Sequence, residues 1–112
     1  MALPELDVAR VQHWCVERTP PEFRHQTVVE CEVSARHLTI VDRRPPWSED
    51  SGSEWMSMPL ARLRYTAADG TWTLYWADRN SRFHLYDLVP PSRRVQDLLD
   101  EIERDPTNIF WG

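Results

Sequence analysis

Apolar and polar residues alternate with a period of two through five stretches in the middle of the chain, and with a helical period near both ends. The first helical stretch follows Pro4, a residue suited to a first turn, with Glu5 and Asp7 near the positive end of the dipole. Val8, Val11 and Cys15 make its apolar stripe, with Leu6 and Trp14 at the margins. Pro20 and Pro21 end it, since neither supplies an N–H. Strands are predicted over residues 27–33, 37–43, 60–66, 71–77 and 82–87. A second helix is predicted over 93–104, with Ser92 as N-cap and Val95, Leu98, Leu99 and Ile102 as its buried stripe. Strict alternation means a sheet with one covered face and one open face. The fold class is therefore α+β: a five-stranded antiparallel meander with the N-terminal and C-terminal helices packed on one face.

Face matching sets the hairpin registers, because a one-residue slip sends every side chain to the wrong side. Val33 is expected opposite Leu38, and Cys31 opposite Ile40. Tyr65 pairs with Trp72, Leu63 with Leu74 and Ala61 with Trp76, across the loop Ala67-Ala68-Asp69-Gly70. Trp76 is expected opposite Phe83 and Leu74 opposite Leu85, across the loop Asp78-Arg79-Asn80-Ser81. The expected core is then Leu63, Trp72, Leu74, Trp76, Phe83 and Leu85 against Val95, Leu98, Leu99 and Ile102. The opposite face gathers Arg62, Tyr75 and His84 in one row and Arg64, Thr73 and Tyr86 in the next. Arg82, Glu30 and Glu32 share that face. These binding candidates, Arg62, Arg64, Tyr75, Arg82, His84 and Tyr86, form the sharpest constellation in the chain. The plain alternative is a solvated sheet face stabilised by cross-strand pairs.

The 112 residues suit one domain spanning 1–112. Residues 44–58, which include the run SEDSGSE, read as a mobile surface loop bracketed by Trp47 and Trp55. The tail 107–112 ends Ile109-Phe110-Trp111-Gly112 and is too apolar for a free end. It is expected to fold back and close the core, with packing on a second chain as the alternative; a monomer is expected ahead of a homodimer.

With 13 basic residues, all Arg, against 18 acids, the net charge is -5. An acidic balance argues against general nucleic-acid binding, though it leaves room for a local basic patch. Helix two carries Arg93 and Arg94 in its first turn and Asp97, Asp100, Glu101, Glu103 and Asp105 later, the reverse of what the macrodipole favours. That end is expected to be either simply solvated or used to dock a basic partner. Cys15 and Cys31 read as reduced, inert thiols. The four His have no zinc-ligand spacing, so no metal is expected, and no phosphate loop or other cofactor fingerprint occurs among three Gly. The N-terminal MALPELDVAR lacks the apolar core of an export signal, no run reaches the roughly 20 residues of a membrane helix, and the expected location is the cytoplasm.

Three stretches carry a resemblance: VECEV with RHLTIVDRRPPW, then ARLRYT with WTLYW and RFH, and finally DEIERDPTNIFWG. Over most of its length the chain resembles a family of short bacterial proteins, domain of unknown function 3024. That resemblance implies a bacterial origin and a stand-alone domain, and it carries no catalytic residues across. A second, weaker likeness is to RelE-type toxin ribonucleases. It implies Tyr75 or His84 as acid or base and Arg62 and Arg64 as stabilisers of phosphate charge. The single preceding helix, the five strands and the acidic total depart from that pattern. The expected function is thus a small binding or interaction module that contacts an unidentified protein or a small anionic ligand through the Arg/Tyr/His face. Catalysis is the alternative.

Overall fold

The computed structural model describes residues 3–19, 21–23, 27–44 and 56–111. Its elements run α1 (Glu5–Arg18), a short 3-10 turn (Pro21–Phe23), β1 (Val28–Val33), β2 (His37–Arg44), β3 (Met56–Thr66), β4 (Thr71–Ala77), β5 (Phe83–Leu85) and α2 (Val95–Arg104). The five strands form one sheet in sequence order, every neighbouring pair antiparallel. Both helices lie on the same face, and the α+β meander expected from the alternation is the observed architecture.

The core follows the two periodicities. Val11, Trp14 and Cys15 of α1 and Val95, Leu98, Leu99 and Ile102 of α2 are buried against Leu38, Ile40, Ala61, Leu63, Trp72 and Leu74. The Trp72 indole N–H donates to Asp7 at 2.9 Å, satisfying a buried polar atom and fixing α1 on β4. Leu6 is fully outside this stripe and exposed.

Two registers are as face matching predicts. Val33 faces Leu38 and Cys31 faces Ile40; Ala61, Leu63 and Tyr65 face Trp76, Leu74 and Trp72. The four-residue loop 67–70 closes with Gly70 at φ +66, where a Cβ is unfavourable. The third register differs by one residue. Trp76 faces His84 and Ala77 faces Phe83. The turn decides it. The Ser81 N–H donates to the Asp78 carbonyl, and one Asp78 carboxylate oxygen accepts the N–H groups of Asn80 and Arg82. Ser81 stands at φ 63. A three-residue loop with a left-handed third residue is thereby built around Asp78, in place of the four-residue loop.

The shift reverses the expected faces of Phe83, Leu85, His84 and Tyr86. Phe83 is only half-buried and Leu85 is exposed, both on the face away from the helices. Trp76 packs on the core only in part. His84 and Tyr86 turn to the helix side, where Tyr86 is buried.

The polar loop is also shorter than expected. Arg44 pairs with Met56 and Asp42 with Met58, so positions 44 and 56–58 belong to strands. Residues 45–55, with Trp47 and Trp55, lie outside the described residues. Helix α2 begins at Val95, two residues after the expected start, with Arg94 at its N-cap. Ser92 still serves that end: its hydroxyl accepts the Arg94 N–H and donates to Asp97.

The tail folds back on its own core. Asp105, left-handed at φ 40, ends α2, and its carboxylate accepts the backbone N–H groups of Ile109, Phe110 and Trp111. Phe110 is buried beside Tyr86, and the Trp111 indole N–H donates to the Ile102 carbonyl at 2.9 Å. Among the described residues, no helix is long and apolar enough to cross a membrane.

Candidate functional site

On the open face, adjacent strands bring Thr39, Arg62, Tyr75 and Leu85 into one row, and His37, Arg64 and Thr73 into the next. Arg62 is the centre. Its Nε donates to the Thr39 hydroxyl at 3.1 Å, and its guanidinium lies over the Phe83 ring, 3.9 Å from the centroid. The aromatic face and the hydroxyl hold the fork in one plane, and among the described residues its terminal N–H groups have no hydrogen-bond partner. Thr39, its partner, is buried, and so is Val41 opposite Glu30, while Arg36, Arg64 and Leu85 on the same face are exposed.

Arg36, at the tip of the first hairpin, completes the group. Its carbonyl accepts the Tyr65 N–H at 2.9 Å, which ties the hairpin tip to β3. Arg36, His37, Arg62, Arg64, Tyr75 and Phe83 line a hollow of about 210 Å³. A neighbouring hollow of about 390 Å³ shares Arg36, Arg64 and Tyr75. Among the described residues, no carboxylate lies within ion-pair distance of Arg36, Arg62 or Arg64. Arg18, Arg43, Arg44, Arg94 and Arg104 are paired with Glu103, Glu30, Asp42, Asp97 and Glu101, whereas Arg10, Arg79, Arg82 and Arg93, like the three of the hollow, have no such partner among the described residues. Burial, then the charges of Arg62 and Arg64, hold the His37 pKa below its ordinary value.

The sequence-derived candidates divide. Arg62, Arg64 and Tyr75 are brought together. His84 is not with them: it stacks on Trp76 at 4.6 Å between centroids, and its Nε2 lies 2.7 Å from the Asp78 carboxylate. That bond, first among several, depresses the Asp78 pKa. Tyr86 is on the helix side, its hydroxyl donating to the buried Glu101 at 2.7 Å. Burial and that carboxylate push its pKa up to about 12. Arg82 is exposed beside the Asp78 turn. The acid–base set implied by the toxin likeness, Tyr75 and His84 with Arg62 and Arg64, is therefore not assembled on one face. The single cause is the one-residue shift at β5.

Arg36, His37, Thr39 and Phe83 escaped the sequence reading of the site. Alternation did place Thr39 opposite Leu38 and Ile40 in direction, and the same count puts His37 beside it. Phe83 had no such signal, because a Phe in a strand reads as core.

Two other groups have structural duties. Burial acts to raise the Glu101 pKa, but the bonds from Tyr86 and Arg104 outweigh it and hold the carboxylate below its usual range. Cys15 and Cys31 are free, and burial pushes their pKa values up to about 12 and about 11, which disfavours the reactive thiolates. No group of three or more His, Cys, Asp or Glu suited to a metal ion occurs among the described residues.

The model of a protein family described as "Domain of unknown function (DUF3024)" matches residues 2–112, and the chain belongs to that family. Neither the curated proteins nor the solved structures contain a match to it.

Proposed function

We propose that this protein is a small monomeric binding module of the bacterial cytoplasm that receives an anionic group, a carboxylate or a phosphate, on the open face of its sheet. One observation carries the reading. In a chain of net charge -5, three arginines converge on one hollow with no carboxylate of the described residues beside them. Arginine forks satisfy oxyanions bidentately, and a fork held in place loses little freedom on binding. Tyr75 and His37 supply further donors at the rim, and Phe83 and Leu85 give an apolar border on which the rest of a ligand can lie. The arrangement holds and orients an anion; no proton-transfer step is assigned to it.

The test is titration of isotope-labelled protein with inorganic phosphate, followed by backbone and Arg side-chain resonances. Shifts should concentrate at Arg36, His37, Arg62, Arg64 and Tyr75. The Arg62→Ala/Arg64→Ala variant should bind at least about tenfold more weakly, since each charge-assisted bond is worth roughly 1.5–3 kcal/mol. Arg93→Ala, on the other side of the molecule's sheet, should bind as the parent does. Equal binding by all three proteins, or shifts scattered over the surface, would overturn the reading.

A further inference from the structure

The sheet has two edges, and they differ. At one edge, β5 is only three residues long. Beyond it, Tyr86 donates its N–H to Leu74, and Ser92 bridges Trp72 in both directions. The other edge is β1, six residues long. The Val29 N–H points away from β2, because it donates to the Thr19 hydroxyl at 2.8 Å. Every second residue then points the same way, so Cys31 and Val33 direct their N–H and C=O groups outward. Among the described residues nothing bonds to them. An unpaired edge of this kind is a template for another strand.

The sides of that edge have opposite chemistry. On the helix side, a trough runs along the seam between α1 and β1, in two adjoining hollows of about 560 Å³ and about 350 Å³. Val8, Ala9, Val16, Cys31 and Val33 give it an apolar lining, with Glu5 and Glu30 also bordering the hollows, and Val16 and Val33 are 55% and 53% exposed. On the open side stand Glu30 and Glu32. Glu30 shares its charge with Arg43 at 3.0 Å, and Glu32 is exposed with no cation of the described residues beside it.

A second copy of this chain does not suit the edge. Antiparallel pairing of β1 with itself through its outward-facing odd-numbered residues sets Glu30 against Glu32, Glu30 against Glu30, or Glu32 against Glu32 in the registers centred on Cys31 or one step either side. Like charges directly opposed are destabilising. We infer that β1 accepts an extended segment of another protein as a sixth strand, one that alternates apolar and basic residues. Its backbone bonds to Cys31 and Val33, its apolar side chains enter the α1–β1 trough, and its basic side chains face Glu32 and Glu30. This is strand addition with alternate-residue specificity, and it is independent of the anion-binding face.

The probe is a capped octapeptide of strictly alternating Arg and Val, titrated into isotope-labelled full-length protein. A capped peptide of the same composition, with its Arg and Val in two blocks, controls for attraction to an acidic protein. The alternating peptide should shift the Cys31 and Val33 amides, slow their hydrogen exchange and bind more tightly than the block peptide. Val33→Pro removes an outward N–H without touching the β1–β2 ladder, which is where an edge tolerates proline. It should weaken binding by about tenfold, one backbone hydrogen bond at the upper end of its usual worth. Glu32→Arg, at an exposed position, should weaken it similarly, and Arg62→Ala should leave it unchanged. The inference is overturned if the alternating peptide does not bind. Equal affinity for the two peptides, or full binding by Glu32→Arg, would overturn it as well.

Discussion

Asp105 does the work of several residues. Its carboxylate takes three backbone N–H groups of the tail, and its own backbone ends α2 in the left-handed region. Removing it leaves the buried Phe110 amide without a partner, a cost of about 1–3 kcal/mol for each such group. Asp105→Ala should therefore lower stability by at least that much in a urea melt, and Asp105→Asn, which keeps an acceptor oxygen, should recover part of the loss. Tyr86 gives a pH signature. With its folded pKa raised to about 12 from an ordinary value of 10.0, its contribution is whole below about pH 10 and is lost as pH rises through the folded value. Tyr86→Phe should flatten that alkaline limb and destabilise at neutral pH, because Glu101 loses its buried donor. Glu101 and Asp105 thus account for two of the five acids late in α2. Within its acidic end, expected to be solvated or to dock a basic partner, Glu101 and Asp105 anchor the Tyr86 hydroxyl and the tail, while Asp97, Asp100 and Glu103 are exposed.

At the scale of elements, Leu98 is buried in the middle of the α2 stripe. Leu98→Ala should cost about 2–5 kcal/mol, and an unchanged melting midpoint would contradict the assigned core. The β4–β5 turn offers a change of opposite sign. Ser81 holds a positive φ of 63, which glycine adopts without a Cβ penalty. Ser81→Gly should raise stability in the same melt, because it relieves a left-handed cost of about 1–2 kcal/mol and gives back roughly 0.5–1 kcal/mol through the extra chain freedom glycine loses on folding. Most elements were legible because their periods are clean: VVECEV, WTLYW and the Val95–Ile102 stripe each admit one placement. At β5 the local chemistry of Asp78 competed with face matching and won. Phe83 and Leu85 read as core by type, yet Phe83 is used as the platform for Arg62, and Tyr86 fills the inner place because Glu101 can satisfy its hydroxyl. Half of the expected site followed from the β3–β4 register alone. The other half turned on that one residue of slip. The contribution of Arg36 required knowing how the first hairpin's tip lies against β3.

For the whole molecule, deleting residues 108–112 removes Phe110 from the core and Trp111 from its contact with Trp14, 6.2 Å away between ring centroids. The shortened chain should show a clearly lower Tm while light scattering still reports a monomer. The open face makes its own whole-molecule prediction through His37. Its pKa is held below the ordinary 6.5, so folding stability from this group is complete above that value and is lost as pH falls through it toward the folded pKa. Burial is the first cause of that depression, and an anion in the Arg36–Arg62–Arg64 hollow offsets the second, the charges of Arg62 and Arg64. Binding must then raise the His37 pKa and grow tighter as the imidazole protonates.

The most direct measurement is the pH titration of the His37 ring protons by NMR, with and without sulfate, an anion whose charge is constant over that range, and with His37→Gln to assign the resonance. A titration below the ordinary histidine range without sulfate, and a clear upward shift with it that vanishes in Arg62→Ala/Arg64→Ala, is the predicted result. A His37 pKa that sulfate does not move, in a protein that stays folded throughout, would contradict the account.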